Sequence, residues 1–203
     1  MIGLISYGLG NIKAFENIYK KLNIPCMRVK NPSDLEKVEK LILPGVGSFD
    51  NAMSKLIKSN LLDTINYKVK DEKIPILGVC VGMQIMSNSS EEGDLEGLGW
   101  IKGRVKKFKP SYFKSKPFNP HMGWNSISLR NESKIFNNIQ SLKFYFLHSY
   151  YLDPELNSNI ISSTNYGLDF CSAINQENIW ATQFHPEKSH NSGIKLLENF
   201  SKL

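Results

Sequence analysis

No stretch of the chain holds as many as about eighteen consecutive apolar residues, so no membrane-spanning helix is expected. Cysteine is scarce: Cys26, Cys80 and Cys171 are the only three in 203 residues. An odd number at wide spacing speaks against a disulfide framework and points to a reducing, cytoplasmic setting. The cysteines and the four histidines form no CxxC pair and no spacing suited to a metal ion. Neither metal nor cofactor is therefore expected. The N-terminus carries no basic flank and no cleavage pattern, which leaves no signal peptide to read. Internal repeats and low-complexity linkers are also missing, and so is any recognised nucleic-acid motif.

What is present fits one globular domain spanning 1–203, long enough to bury a sizeable core and short for two. The net charge of +6 is carried partly by Arg104, Lys106, Lys107 and Lys109, and by Lys114 and Lys116. Val105 and Phe108 alternate with their basic neighbours, as in a strand with one solvated face, so no nucleic-acid partner is inferred from the charge.

The first half alternates strand and helix signals. Strands are expected at 2–6, 25–29, 41–43 and 76–79, and a helix at 12–22 with Phe15, Ile18, Tyr19 and Leu22 on one face. A short helix begins near Pro32 with Ser33 as its N-cap. Residues 49–69 hold one helix or two, broken near Ser59 and Asn60. The second half is richer in strands, expected at 97–101, 103–108, 125–129, 144–152, 160–164, 171–174 and 179–184. A polar loop covers 109–119 and a helix covers 192–200. Repeated strand–helix units predict an α/β fold with a mostly parallel central sheet, helices on both faces and a β-rich second half.

The chemistry centres on Gly78-Val-Cys80-Val-Gly82. An apolar strand runs into a small-residue turn, and a helix begins from about Met83. This is the glycine-flanked nucleophile elbow with cysteine as the nucleophile. Such a turn lifts the Cys80 thiol to the strand's end and offers the Val81 N–H to a developing oxyanion. A buried structural cysteine after a core strand also fits the segment taken alone. A nucleophilic thiol needs a base, and the base needs an orienter. His185 follows an apolar strand and precedes Glu187 by two residues. In extended backbone that spacing puts both side chains on one side, with Pro186 stiffening the link. His148 lacks an acidic neighbour and reads as a packed, hydrogen-bonded histidine; His121 and His190 read as structural or interfacial.

Gly78-Val-Cys80-Val-Gly-Met-Gln84 followed by Gln183-Phe-His185-Pro-Glu187 resembles the class I, triad-type glutamine amidotransferases. Ser6-Tyr-Gly-Leu-Gly-Asn11, Leu43-Pro-Gly-Val-Gly-Ser-Phe49, Pro120-His-Met-Gly-Trp-Asn125 and His148-Ser-Tyr-Tyr151 narrow the resemblance to the glutaminase subunits of imidazole glycerol phosphate synthases. It runs from about residue 2 to residue 200. It implies that Cys80, His185 and Glu187 are catalytic, and that L-glutamine becomes glutamate and ammonia through a thioester on Cys80. It also implies an oxyanion hole from the backbone of Val81 with Val46 or Gly47, and a substrate pocket with Gln84, Ser149 and Tyr150. Tyr150 and Tyr151 also fit alternating core and surface aromatics.

Ammonia diffuses away, and the chain has no room for an acceptor domain, so a partner is implied. In the resembled family it is a (β/α)8-barrel cyclase, which forms a heterodimer with the glutaminase. That complex makes imidazole glycerol phosphate and aminoimidazole carboxamide ribotide in histidine biosynthesis. His121, Trp124 and Lys188 match positions that face this partner, although Trp124 taken alone also fits a core position. Ser6 stands where Asp is common, and Val81 where Leu is usual. The segments 97–101 and 188–195 resemble a paralogous branch that supplies ammonia to a barrel partner in bacterial surface-sugar biosynthesis. A non-catalytic relative or a cysteine peptidase fits the residues less well.

Overall fold

The computed structural model describes residues 1–113 and 120–203. Lys114, Lys116 and the end of the loop expected at 109–119 lie outside the described residues. The first half builds β1 (Ile2–Ile5), α1 (Ile12–Lys21), β2 (Cys26–Val29), β3 (Lys40–Gly45), α2 (Phe49–Lys58), α3 (Leu62–Lys70), β4 (Ile76–Cys80) and the single turn α4 (Val81–Gln84). β1 and β4 are buried at every position, as strands covered on both faces must be.

The second half holds β5 (Ser89–Ser90), β6 (Gly103–Lys107), β7 (His121–Ser126), β8 (Ser128–Leu129), β9 (Lys143–His148) and β10 (Tyr150–Pro154). It closes with β11 (Ile160–Asn165), β12 (Asp169–Gln176), β13 (Ile179–Thr182) and α5 (His190–Ser201). The main sheet has the order β2-β1-β3-β4-β13-β12-β11-β8. Pairing from β2 through β13 is parallel; β13, β12, β11 and β8 pair antiparallel. Two small sheets, β10-β6-β5 and the ribbon β7-β9, complete the fold. One continuous apolar core runs from Ile2 to Phe200 across both halves.

Several expectations need correction. The 97–101 segment is not a strand. Its N–H groups turn back on the end of α4: Leu98 donates to the Ile85 carbonyl (2.8 Å) and Trp100 and Ile101 to that of Met86 (2.9 and 3.0 Å). The Ile85 and Met86 carbonyls just past α4 have no further helical turn to donate to them, and this segment does so. Ser33 is not the cap of the turn at Pro32–Lys37. Asn31 is, in a reciprocal capping box with Asp34. The strand expected at 144–152 breaks at Ser149, so β9 joins the ribbon and β10 joins β6. The strand expected at 125–129 begins earlier, at His121, and α4 begins at Val81 immediately after Cys80. Residues 49–69 do form two helices, separated by Ser59–Leu61.

Packing is very tight between β3 and α4. A Cβ on Gly82 would sit 1.9 Å from the Leu43 carbonyl oxygen, and one on Gly45 would sit 2.4 Å from the Gly82 nitrogen. Both obstacles are backbone, which cannot swing aside. Gly82→Ala should therefore force β3 and α4 apart at a cost of about 3 kcal/mol, lowering the melting temperature by roughly 6–12 °C. Thermal melting of the purified variant checks this.

Candidate active site

Cys80 stands between β4 and α4 with φ 55° and ψ −113°, a conformation that side-chain-bearing residues rarely adopt. The strain belongs to the elbow: the chain must reverse at once from a buried strand into a helical turn. Val81 opens that turn, so its N–H has no intrahelical acceptor and is available to an anion. The thiol lies against the Leu147 carbonyl (3.7 Å) and receives the Gln183 amide N–H (3.8 Å).

His185 reaches the same point from the end of β13. Its Nδ1 is 2.8 Å from Glu187 Oε1, and both side chains are almost wholly buried. The route differs from the one the spacing suggests. Residues Pro186–Lys188 form a 3-10 turn, so the pair meets across a tight turn and not along extended backbone. Ser189 fixes the turn: its hydroxyl donates to the His185 carbonyl (2.6 Å) and accepts from the Tyr145 N–H (3.0 Å). The His185 N–H also donates to the Tyr145 carbonyl (2.8 Å). Glu187 Oε2 is buried with no hydrogen-bond partner among the described residues. Burial by itself would lower the His185 pKa. The Coulombic pull of Cys80 and its hydrogen bond, then Glu187, outweigh it and push the imidazole up to about 10. The site thus keeps a proton on His185 beside the sulfur.

These groups line a cavity of about 250 Å³. Val46, Gly47, Val81, Gln84, Ser149, Tyr150 and Lys188 share its wall with Cys80 and His185. Glu187 stands behind His185 and holds it. Gln84 is 2% exposed, and its Nε2 donates to the Tyr150 carbonyl (3.0 Å) and to Gln183 Oε1 (3.1 Å). Lys188 is exposed, with its ammonium 5.6 Å from the centre of the Tyr145 ring.

Two of the three expected interface residues behave differently from each other. Trp124 is exposed and stacks on the His190 ring at 5.1 Å, so the core alternative for it is ruled out. His121 is 4% exposed and does not present its side chain to a partner. It lies between the Phe146 and Tyr166 rings, because residues alternate along β7 and His121 falls on the inner face. His148 is packed and hydrogen-bonded: its Nδ1 lies 2.7 Å from the Tyr150 carbonyl oxygen. It also lines the cavity.

Four contributors receive no role from the sequence alone. Glu92 lines the cavity and accepts from the Phe49 N–H (2.8 Å); burial, with a further push from Asp50, raises its pKa. Tyr7, in the Ser6–Asn11 motif, donates from its hydroxyl to the Pro44 carbonyl (2.8 Å) and braces the end of β3. Gln183 and Ser189 are the others. Only their pairing partners give them a role, and those partners come from distant strands. Among the described residues no group of acidic, histidine or cysteine side chains could hold a metal ion.

The class I glutamine amidotransferase family model matches residues 4–203. The chain belongs to that family. As a class I glutamine amidotransferase it has relatives named "Imidazole glycerol phosphate synthase subunit HisH". One from Leptospira borgpetersenii is 50% identical, covering all of both chains. One from Bdellovibrio bacteriovorus is 44% identical over the same full extent. Among solved structures, a glutamine amidotransferase superposes with a TM-score of 0.75 at 16% identity, covering 100% of this chain and 99% of that one. A second glutamine amidotransferase, from Thermotoga maritima, gives 0.66 at 16%, covering 99% and 82%. The amidotransferase is therefore an enzyme of the glutamine-hydrolysing class with the fold that the family implies.

Removing the charge on Glu187 removes a support of the His185 proton. Glu187→Gln should lower the His185 pKa, seen by imidazole NMR titration, and reduce kcat for glutamine about 10²–10⁴-fold. A second expectation concerns acid. Burial lowers the pKa of His121 to about 4 and that of His148 to about 3, from 6.5. The folded state then binds fewer protons than the unfolded chain below pH 6.5, so the contribution of these two groups is full above that pH and is lost as pH falls toward 4. His185, raised in the folded state, offsets part of this by less than about 1 kcal/mol as the unfolded imidazole protonates. The protein should be about 2–4 kcal/mol less stable at pH 5 than at pH 7, and denaturant melts at the two pH values measure it.

Proposed function

We propose that this chain is the glutaminase subunit of an imidazole glycerol phosphate synthase and that Cys80, His185 and Glu187 are its catalytic triad. The observation that carries the triad is the shared cavity. The thiol and the imidazole meet on one wall, and the Glu187 carboxylate fixes the imidazole from behind at 2.8 Å. The Cys80 sulfur attacks the side-chain carbonyl carbon of glutamine. The C=O electron pair moves onto oxygen, and the Val81 N–H with that of Val46 or Gly47 stabilises the charge. The pair then returns, the C–N bond breaks, and His185 gives its proton to the departing nitrogen as ammonia leaves. Water, deprotonated by His185, attacks the thioester, and glutamate is released with the thiol restored. Glu92 offers a carboxylate on the cavity wall for the substrate's α-ammonium group, and the backbone at Ser149 and Tyr150 offers polar contacts for the rest.

The continuous core supports reading 1–203 as a single glutaminase domain, with the ammonia acceptor on a partner. The ribbon β7-β9 supports a barrel cyclase as the partner. Met122 and Leu147 are register partners on it, both exposed (64% and 36%), and Trp124 lies beside them at 47%. Leu147 also lines the cavity, so this apolar strip borders the place where ammonia forms. Full-length relatives that carry the synthase subunit's name support the histidine-pathway assignment. No helix among the described residues is long and apolar enough to cross a membrane, and we place the activity in the cytoplasm.

Cys80→Ala, co-purified with the barrel partner, should lose glutamine-dependent synthesis by about 10⁴-fold or more while ammonium salt still drives the partner's reaction. Steady-state assays with each nitrogen source test this. Glutamine-dependent turnover that survives the substitution would refute the nucleophile assignment.

A further inference from the structure

A single line of hydrogen bonds runs from the ribbon to the thiol, and its polarity is forced at every link. The Tyr150 carbonyl can only accept, so the Gln84 atom facing it is nitrogen (3.0 Å) and the His148 atom facing it is a protonated Nδ1 (2.7 Å). Gln84 spends its other N–H on Gln183, so the facing atom is Gln183 Oε1 (3.1 Å). Gln183 therefore turns its Nε2 to Cys80 Sγ (3.8 Å). In the other direction, a neutral His148 presents the lone pair of Nε2 to His121 Nδ1 (2.9 Å), which must then carry hydrogen. The lone pair on His121 Nε2 accepts from Asn125 Nδ2 (3.1 Å). Asn125 cannot flip, because its Oδ1 accepts from the Ser126 N–H (2.8 Å) and its Nδ2 also donates to the Asn165 carbonyl (3.1 Å).

We propose that His121 and His148 are positioning residues for glutamine hydrolysis: locked in one tautomer by Asn125, they hold the Tyr150 carbonyl and so fix the orientation of the Gln84 and Gln183 amides against substrate and thiol. The consequence at the cavity is specific. Both Gln84 N–H groups are spent inside the protein, which leaves its carbonyl oxygen as the group able to accept a hydrogen bond from an N–H of the substrate. Aromatic rings enclose the relay. Phe146 and Tyr166 stack on His121 at 4.7 and 4.0 Å, and Phe108 and Phe170 pack on His148 at 5.5 and 5.2 Å. Water is thus kept from competing for the links. A proton added to His148 Nε2 would set it against the His121 Nδ1–H, and one added to His121 Nε2 would set it against the Asn125 amide N–H; either breaks the line.

This proposal rests on the reading of Cys80 as nucleophile and Gln84 as a wall of the glutamine pocket. The direct test uses the unaltered full chain: ¹⁵N-histidine NMR at pH 7 should find both rings neutral with hydrogen on Nδ1. An Nε2–H tautomer or a protonated ring at either residue would overturn the proposal. Kinetics in the complex with the barrel partner give the second test. His148→Phe keeps the ring's bulk and removes both links, so KM for glutamine should rise about 10- to 100-fold. His148→Asn can restore an N–H near the Tyr150 carbonyl and should recover most of that loss. A folded His148→Phe variant with KM within about threefold of the parent, or an Asn variant no better than Phe, would sink the relay. An inactive Cys80→Ala beside a fully competent His148→Phe would reject the relay alone; an active Cys80→Ala would reject the site on which it rests.

Discussion

Backbone contact between β3 and α4 governs the geometry of everything around Cys80. The positive φ of Cys80 costs about 1–3 kcal/mol, and a free chain would relax it. Here it cannot relax, because the Leu43 carbonyl and the Gly45 backbone press directly on Gly82. The same contact seats residues 45–47 beside Val81, so the thiol and both sides of the proposed oxyanion site share one rigid junction. Tyr7 reinforces it through the Pro44 carbonyl. The buried, parallel β3 and β4, with β13 at their side, supply the stiffness that keeps this junction under strain.

The electrostatics follow from that junction. A buried carboxylate with one oxygen unpartnered is costly, and Glu187 is tolerated because His185 stays protonated next to it. The imidazole faces sulfur on its other side, so one proton balances two potential anions. On the far wall the logic reverses: His121 and His148 sit among aromatic rings and remain neutral. Two histidine environments within one site therefore hold opposite charge states at neutral pH. In the proposed mechanism one serves proton transfer and the other orientation.

The proposed triad and the parallel half of the sheet are written in short, local patterns of the sequence. Apolar runs bounded by glycine and proline mark β3 and β4, and the elbow and the His185–Glu187 pair each span a few residues. The pairing of His185 with Glu187 is nonetheless right for a reason that fails, since the link is a 3-10 turn. Residues whose role depends on register stay hidden. Gln183 matters because β13 pairs with β4, Ser189 because it meets Tyr145 on β9, and Glu92 because its loop folds back onto Phe49. The 97–101 segment has strand-like composition, but the open carbonyls at the end of α4 claim its N–H groups first. His121 is misplaced by its motif because only the phase of β7 decides which of its residues turn inward.

The strip formed by Met122, Trp124 and Leu147 has a meaning beyond the site it borders. Contiguous apolar surface on a free chain is a liability for colloidal stability, and here it stands on a two-stranded ribbon. A surplus of this chain would be sticky in a way that a balanced supply would not. The proposed partner would hide this strip; on the free chain it stays open to association.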